Sequence, residues 1–150
     1  MNIKRATVVD LEDLDLYSMG VMFYTQSKLP GTFNPAFFKS IWTTFIEQDL
    51  GAMFMLLDDQ QKLMGVIGGL KHPDPYNGDL VAQEMFWFVH PAHKSKGAVE
   101  LYNAFEGWAK EIGAKRLCMA CVCNSHMKAV RKFYERKGYR PVDVSYFKNL

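Results

Sequence analysis

The sequence predicts an α+β domain whose mixed, mainly antiparallel central sheet carries helices on both faces. Apolar residues recur alternately at strand and helix spacing, which gives the order β-α-α-β-β-β-α-β-α-β. One strand, two helices, an antiparallel meander and β-α-β crossovers fit a single covered sheet. The 150 residues, 49% of them hydrophobic, suffice for one domain over residues 1–150 with one core. A ferredoxin-like split β-α-β domain is the alternative.

The first half of the chain is expected to contain a strand, two helices and a hairpin. Asp10 ends the first strand and can cap the helix that follows. Asn34 and Pro35 have the residue types of an N-cap and a first helical residue. Four polar residues, 58–61, separate two apolar runs and favour a hairpin. The predicted elements are a strand at 3–10, a helix to residue 27, a helix at 34–51, and strands at 54–57 and 63–70.

The second half is expected to alternate strands and helices. Residues 71–79 hold two prolines and a glycine, which indicates a loop. Residues 80–89 are aromatic and β-branched, as in a central strand. Gly113 and Gly138 follow two helical patterns and would end them. The predicted elements are a strand at 80–89, a helix at 98–112, a strand at 116–123, a helix at 127–138 and a terminal strand at 139–147.

The net charge of +2 hides an asymmetry, because the chain from residue 94 onward has twelve basic and five acidic residues. Such a segment fits an anionic ligand, either a phosphorylated cofactor or a nucleic acid, but also an ordinary solvated face. No apolar run approaches the roughly 20 residues that span a bilayer. The N-terminus lacks the apolar stretch of a secretory signal, and three cysteines fit a reducing compartment. We therefore expect a cytoplasmic protein without membrane contacts.

The most informative segment is the strand that runs into a basic, glycine-containing turn and then an amphipathic helix. Lys94 and Lys96 stand beside the free backbone N–H groups of the helix start, which is a favourable site for phosphate. Neither the P-loop pattern nor GxGxxG occurs in the chain. Strand, basic turn and helix start together suggest a pyrophosphate site.

These features resemble the GNAT superfamily of acetyl-CoA-dependent N-acetyltransferases. The likeness covers the whole chain: the opening IKRAT-x-x-D, the element order, the turn V-x-P-x-x-K-x-K-G and the late FYERKGY. The family's turn follows Gln/Arg-x-x-Gly-x-Gly/Ala, whereas Lys94 and Val99 stand at its first and last positions here. Lysine keeps the charge without the arginine fork, and bacteriophage-encoded members diverge similarly. The resemblance implies coenzyme A binding by Lys94, Ser95, Lys96, Gly97, Ala98 and Val99.

Acetylation of an amine needs a base, because an amine of pKa about 10.4 is almost wholly protonated at pH 7. Glu84 is the candidate. Strand alternation places it on the same face as Phe86 and Phe88, where apolar surroundings would raise the pKa of its carboxyl group. The resemblance implies a general-base role, and an exposed or salt-bridged carboxylate is the alternative.

The resemblance also implies roles for other residues. Tyr134 would protonate the departing thiolate, although it equally continues a core stripe of the last helix. Backbone N–H groups around Phe88 and Val89 would polarise the acetyl carbonyl, where the fourth strand splays from the fifth. The acceptor pocket would be shaped by Tyr24, Phe33 and Tyr76, for which core packing or a dimer interface is an equal explanation.

Metal and nucleic-acid sites are less favoured by the sequence. On one strand Cys118 points opposite to Cys121 and Cys123, so the three do not converge with His126 on zinc. The basic residues of the last helix lack the interleaved aromatic residues of a nucleic-acid surface. We expect acetyl transfer from acetyl-CoA to a small-molecule or peptide amine in a ternary complex, with dimerisation left open. The alternative is an inactive protein of the same fold that binds a protein or nucleic acid through its basic C-terminal surface.

Overall fold

A computed structural model describes residues 1–93, 96–123 and 126–150. One five-stranded sheet has the order β1-β2-β3-β4-β5, antiparallel except for the parallel pair β4 and β5. The elements are β1 (Asn2–Arg5), α1 (Leu14–Ser27), α2 (Pro35–Glu47), β2 (Gly51–Leu57), β3 (Leu63–Pro73), β4 (Leu80–Val89), α3 (Lys96–Glu111), β5 (Arg116–Cys118) and α4 (Met127–Arg136), with short 3-10 helices at Val8–Glu12 and Pro91–His93. The predicted fold class is confirmed. None of the helices in the described ranges has both the length and the hydropathy to cross a membrane.

The N-terminal strand is shorter than predicted. It ends at Arg5, and Asp13 rather than Asp10 caps α1, accepting the backbone N–H of Asp15 at 2.9 Å. Asp10 instead accepts the backbone N–H of Thr7 at 2.8 Å, which closes a capping box over the intervening 3-10 helix. Asp10 is therefore a capping residue, but it caps the short 3-10 helix and not α1.

The two faces of the sheet carry separate apolar clusters. Trp42 of α2 lies under one face, with its ring 5.2 Å from that of Phe86. Phe105 of α3 fills the other face. Gly69 makes this approach feasible, because a Cβ atom there would lie 2.4 Å from the Phe105 ring and 2.5 Å from the Gln83 carbonyl oxygen. Any larger residue at position 69 would force α3 away from the sheet.

A β-bulge in β4 changes which face its side chains occupy. Gly68 pairs with Phe86 and Gly69 with Glu84, so Met85 is an extra residue without a partner in β3. Glu84 therefore faces α3, and Phe86 faces α2. The prediction that Glu84 shares a face with Phe86 and Phe88 is wrong, because simple alternation does not hold across a bulge.

The C-terminal part forms less sheet than predicted. β5 ends at Cys118 instead of residue 123, and the described residues 137–150 contain no strand, so the predicted terminal strand at 139–147 is wrong. The reason lies after Cys118, where the Ala120 backbone bonds to two side chains instead of to a neighbouring strand. A three-residue β5 offers little edge to a further strand.

Candidate active site

The candidate site lies where β4 and β5 part. Their parallel pairing covers Val81 to Gln83 of β4, and within the described residues β5 offers no partner for residues 84–89. Phe88 and Val89 lie in this unpaired stretch. Phe88 packs in the apolar cluster on the α1–α2 side of the sheet, and Val89 packs in the cluster on the α3 side. The Phe88 ring meets Phe23 of α1 edge-on at 6.5 Å. Backbone groups along this side of β4 are therefore available to an extended ligand.

Glu84 is a buried carboxyl group at the start of this gap. It is 7% exposed, and its Oε2 accepts the backbone N–H of Ala120 at 2.9 Å. Burial raises the pKa of Glu84 to about 7, and the Ala120 N–H opposes that rise. The predicted direction of the pKa shift is confirmed. Near neutral pH this group can both accept and release a proton.

Tyr134 reaches the same backbone segment from α4. Its hydroxyl donates to the Ala120 carbonyl oxygen at 2.7 Å, and its ring lies 6.4 Å from that of Trp87. Burial, and next the Glu84 carboxylate, raise the pKa of Tyr134 far above its ordinary value. The phenol is therefore held protonated. Two candidate residues from different elements thus meet at one amino acid, Glu84 at its N–H and Tyr134 at its C=O.

The candidate coenzyme A turn is described in part. Lys94 and Ser95 lie outside the described residues, while Lys96, Gly97, Ala98 and Val99 form the first turn of α3. Gly97 is buried, and a Cβ atom there would lie 2.4 Å from a Leu56 methyl group. Lys96 is exposed, 3.8 Å from Glu100. Val99 is also exposed, so its side chain points away from the packed side of α3.

The candidate acceptor residues separate into a cluster and an outlier. Phe33, in the loop between α1 and α2, covers Gly20, whose added Cβ would lie 2.3 Å from the ring. Tyr24 lies 6.1 Å from Phe33, and Phe38 continues the row toward Phe86 at 5.7 Å. Tyr76 of the β3–β4 loop is 95% exposed, and packing does not bring it to this cluster.

The cysteines are arranged differently from the expectation, because Cys121 and Cys123 follow the end of β5 instead of lying on it. Burial raises the pKa values of the Cys118 and Cys121 thiols, which therefore stay protonated. Among the described residues, no three His, Cys, Asp or Glu side chains form a cluster suited to a metal ion.

Sequence reasoning missed Ala120 and Met85. Ala120 acts through its backbone, which carries no residue-type signal. Met85 had an indirect signal in the Gly68-Gly69 pair opposite it, because adjacent glycines in a strand often accompany a bulge or a close approach.

Comparison with known proteins places this geometry in context. The structure is similar over 100% of both chains to a ribosomal-protein-alanine N-acetyltransferase from Brucella melitensis biovar Abortus 2308, with 19% identity and a TM-score of 0.71. A predicted acetyltransferase with acetyl-CoA from Clostridium acetobutylicum gives 14% identity and a TM-score of 0.78, covering 99% of this chain and 95% of that one. A transcriptional regulator from Bacillus halodurans C-125 gives 17% identity and 0.78, covering 99% of each chain. At these identities the likeness shows the fold alone.

None of the curated proteins compared with the chain matches it. The family model described as acetyltransferase (GNAT) family matches residues 18–139, which include both candidate catalytic residues and the turn before α3. With this match over most of the chain and the fold described above, the chain belongs to the GNAT acetyltransferase family.

Proposed function

We propose that this protein transfers the acetyl group of acetyl-CoA to a primary amine by direct attack in a ternary complex. The observation that carries the proposal is the convergence of Glu84 and Tyr134 on Ala120, at the point where β4 and β5 part. A carboxyl group that can take a proton near pH 7 and a phenol that carries its proton lie there beside an unpaired strand edge. Acetyl-CoA supplies an activated acetyl thioester to such a site.

The described residues fit coenzyme A by the chemistry of their donors. The free edge of β4 beyond Gln83 offers backbone groups to an amide-containing chain. The start of α3 offers backbone N–H groups to a pyrophosphate, and the exposed Lys96 adds charge. We assign Lys94 and Ser95 to the same turn from the family pattern, and the N–H groups of Phe88 and Val89 to the acetyl carbonyl.

Glu84 acts as the base in this proposal. The acceptor amine, mostly protonated at pH 7, gives a proton to the Glu84 carboxylate and then attacks the carbonyl carbon. Because the pKa of Glu84 is about 7, the group is partly ionised at neutral pH and can accept the proton.

Tyr134 acts as the acid. As the nitrogen–carbon bond forms and the carbon–sulfur bond breaks, Tyr134 gives its hydroxyl proton to the sulfur. The proton that the attacking nitrogen loses then restores the Tyr134 hydroxyl through solvent. The overall change is amine and acetyl thioester to amide and thiol. We propose an acceptor amine on a small molecule or a peptide. It enters from the α1–α2 face of the sheet, beside Tyr24 and Phe33, and reaches Glu84 on the α3 face through the gap between β4 and β5. The exposed Tyr76 can contact a larger acceptor.

The test is the pH dependence of acetyl transfer by Glu84→Gln, using a panel of primary amines. In the unsubstituted protein kcat/KM should rise with pH through about 7, as Glu84 loses its proton. The variant should lose that limb, and its rate at pH 7 should fall by about 10²- to 10⁴-fold. An unchanged profile would remove Glu84 from the mechanism.

Cofactor binding is the control for that experiment. Acetyl-CoA at about 100 times its Kd should stabilise protein and variant alike by about 2.7 kcal/mol, or roughly 5–10 °C in Tm. Absence of any shift with millimolar acetyl-CoA would contradict the proposal. It would favour a binding protein that uses the exposed basic side of α4.

A further inference from the structure

Gly20 lies in the middle of α1, where a glycine makes a helix less stable than an alanine would. A Cβ atom at this position would lie 2.3, 2.6 and 2.7 Å from three atoms of the Phe33 ring. At Gly107 of α3, by comparison, an added Cβ atom would have no described atom within 4 Å apart from neighbouring residues of its own helix. The Phe33 ring therefore occupies the space that a side chain at position 20 would need.

The Phe33 ring connects the loop between α1 and α2 to the strand that carries Glu84. Its centroid lies 5.3 Å from that of Phe38, and the Phe38 ring lies 5.7 Å from that of Phe86. On its other side the Phe33 ring lies 6.1 Å from that of Tyr24. Phe86 is two residues beyond Glu84 in β4. A row of aromatic rings therefore runs from this loop to the start of the gap between β4 and β5.

The chain on this side of the sheet is aromatic and lacks acidic residues. Residues 16–46, which comprise most of α1, the loop and nearly all of α2, contain eight aromatic residues and neither Asp nor Glu. Their two basic residues are Lys28 and Lys39, and the Lys39 ammonium pairs with the Glu12 carboxylate at 2.5 Å. An ammonium group desolvated against these rings would lack a carboxylate partner, and burial of an unpaired charge is unfavourable. An apolar group would instead gain free energy from the same contact.

We infer that Phe33 determines acceptor specificity, and that it selects a primary amine carried on an apolar group over an amine that has a second positive charge. Gly20 is a positioning residue, because it acts through the space that it leaves for the Phe33 ring. The inference rests on the proposed function, in which the acceptor passes Tyr24 and Phe33 on its way to Glu84. The apolar group of the acceptor contacts the ring of Phe33, while its amine reaches the carboxylate.

The first experiment compares two acceptors that differ in one charge, pentylamine and 1,5-diaminopentane. Both present a primary amine on the same five-carbon chain, so the reacting group is the same in each. With saturating acetyl-CoA, kcat/KM per amine group should be about tenfold or more higher for pentylamine. Phe33→Ala should remove most of that preference by raising the KM for pentylamine, with kcat kept within a few fold. Equal values for the two acceptors in the unsubstituted protein, or a preference for the diamine, would overturn the inference.

A second set of variants tests the positioning role of Gly20. The methyl group added by Gly20→Ala should displace the Phe33 ring and reduce the preference for pentylamine. In a Phe33→Ala background the same substitution should have no further effect, because no ring is left to displace. Gly107→Ala is the matched control, since it makes the same change in a helix with room for the Cβ atom, and should leave both acceptors unaffected. Additive effects of the substitutions at positions 20 and 33, or an equal effect of Gly107→Ala, would contradict the inference.

A binding measurement distinguishes failure of this inference from failure of the proposed function. Ligand-detected NMR of each amine, with the full chain and coenzyme A, reports acceptor binding without turnover. Tighter binding of pentylamine without acetylation of either amine would contradict the proposed chemistry and support the acceptor preference. Acetylation without any preference would leave the chemistry standing and overturn the inference, and binding of neither amine would overturn both. Circular dichroism and Tm report whether each variant stays folded, and Phe33→Leu replaces Phe33→Ala if the larger truncation unfolds the protein.

Discussion

The sheet from β2 to β4 and the segment from β5 to the C-terminus are packed to very different depths. All seven residues of β2 and the first seven of β3 are buried. β5 has no buried residue, and Tyr134 is the one buried residue of α4 within the described chain. Each region supplies one candidate catalytic residue. The candidate base, Glu84, therefore lies on the well-buried sheet, whereas the candidate acid, Tyr134, is held by few contacts in a mostly exposed segment. Substitutions in that segment should displace Tyr134 before they displace Glu84.

The largest expected effect comes from making the same truncation in both regions. Phe105→Ala should lower the free energy of unfolding by about 3–5 kcal/mol, because its fully buried ring fills the space above Gly69. Phe147→Ala removes a mostly exposed ring and should change it by less than about 0.5 kcal/mol. Urea denaturation measures both. Equal losses would show that the Phe147 ring is packed in solution.

The next prediction tests whether Glu84 is as inaccessible to solvent as the structure indicates. Because the pKa is raised from 4.5 to about 7, the folded state binds the proton more tightly than the unfolded state. Below pH 4.5 Glu84 is protonated in the folded and the unfolded state and does not change the free energy of unfolding. As pH rises from 4.5 through about 7, Glu84 lowers the free energy of unfolding, because the unfolded state ionises first. The total is on the order of 3 kcal/mol.

Glu84→Gln should remove that part of the pH dependence, so that the variant becomes the more stable protein relative to its parent as pH increases from 5 to 8. Stability measured by denaturant at each pH gives the difference. Glu135→Gln, at an exposed position of α4, is the control and should leave the curve unchanged. If both variants followed the parent curve, Glu84 would be solvated in solution.

The sequence was most informative where periodicity and packing agree. Residues 80–89 were predicted as a central strand, and β4 has those bounds. The helix pattern of α3 is also confirmed, because its apolar stripe rests on a continuous sheet. The choice of Glu84 and Tyr134 brought together residues 50 positions apart in the chain, and the structure places both on Ala120.

The sequence-based predictions were wrong where the structure depends on a neighbouring strand or a backbone contact and not on residue type. Alternation placed Glu84 beside Phe86, but the bulge at Met85 separates them, since strand register depends on the neighbouring strand. Residues 139–147 were predicted as a strand, yet they form none, because β5 ends at Cys118 and offers only three residues for pairing. Ala120 makes its contacts to Glu84 and Tyr134 through its backbone, so its residue type could not predict them.

A smaller effect on stability, at the contacts of α4, tests how the segment from β5 to the C-terminus positions Tyr134. Tyr134→Phe removes the 2.7 Å hydrogen bond to Ala120 and keeps the ring against Trp87, so unfolding should cost about 1 kcal/mol less. Tyr139→Phe is the matched control, because its hydroxyl pairs with that of Tyr102 at 3.0 Å and lies in the same segment. Both variants should lose similar stability, which denaturation measures.

The two variants should differ in catalysis if Tyr134 delivers the proton to sulfur. Tyr134→Phe should then lower kcat by about 10²-fold or more without changing the KM for acetyl-CoA, while Tyr139→Phe keeps kcat within a few fold. An equal loss of kcat in both would mean that this segment merely holds the Ala120 backbone in place. In that case the proton on sulfur would come from solvent, and Glu84 on β4 would be the one acid–base residue of the two candidates.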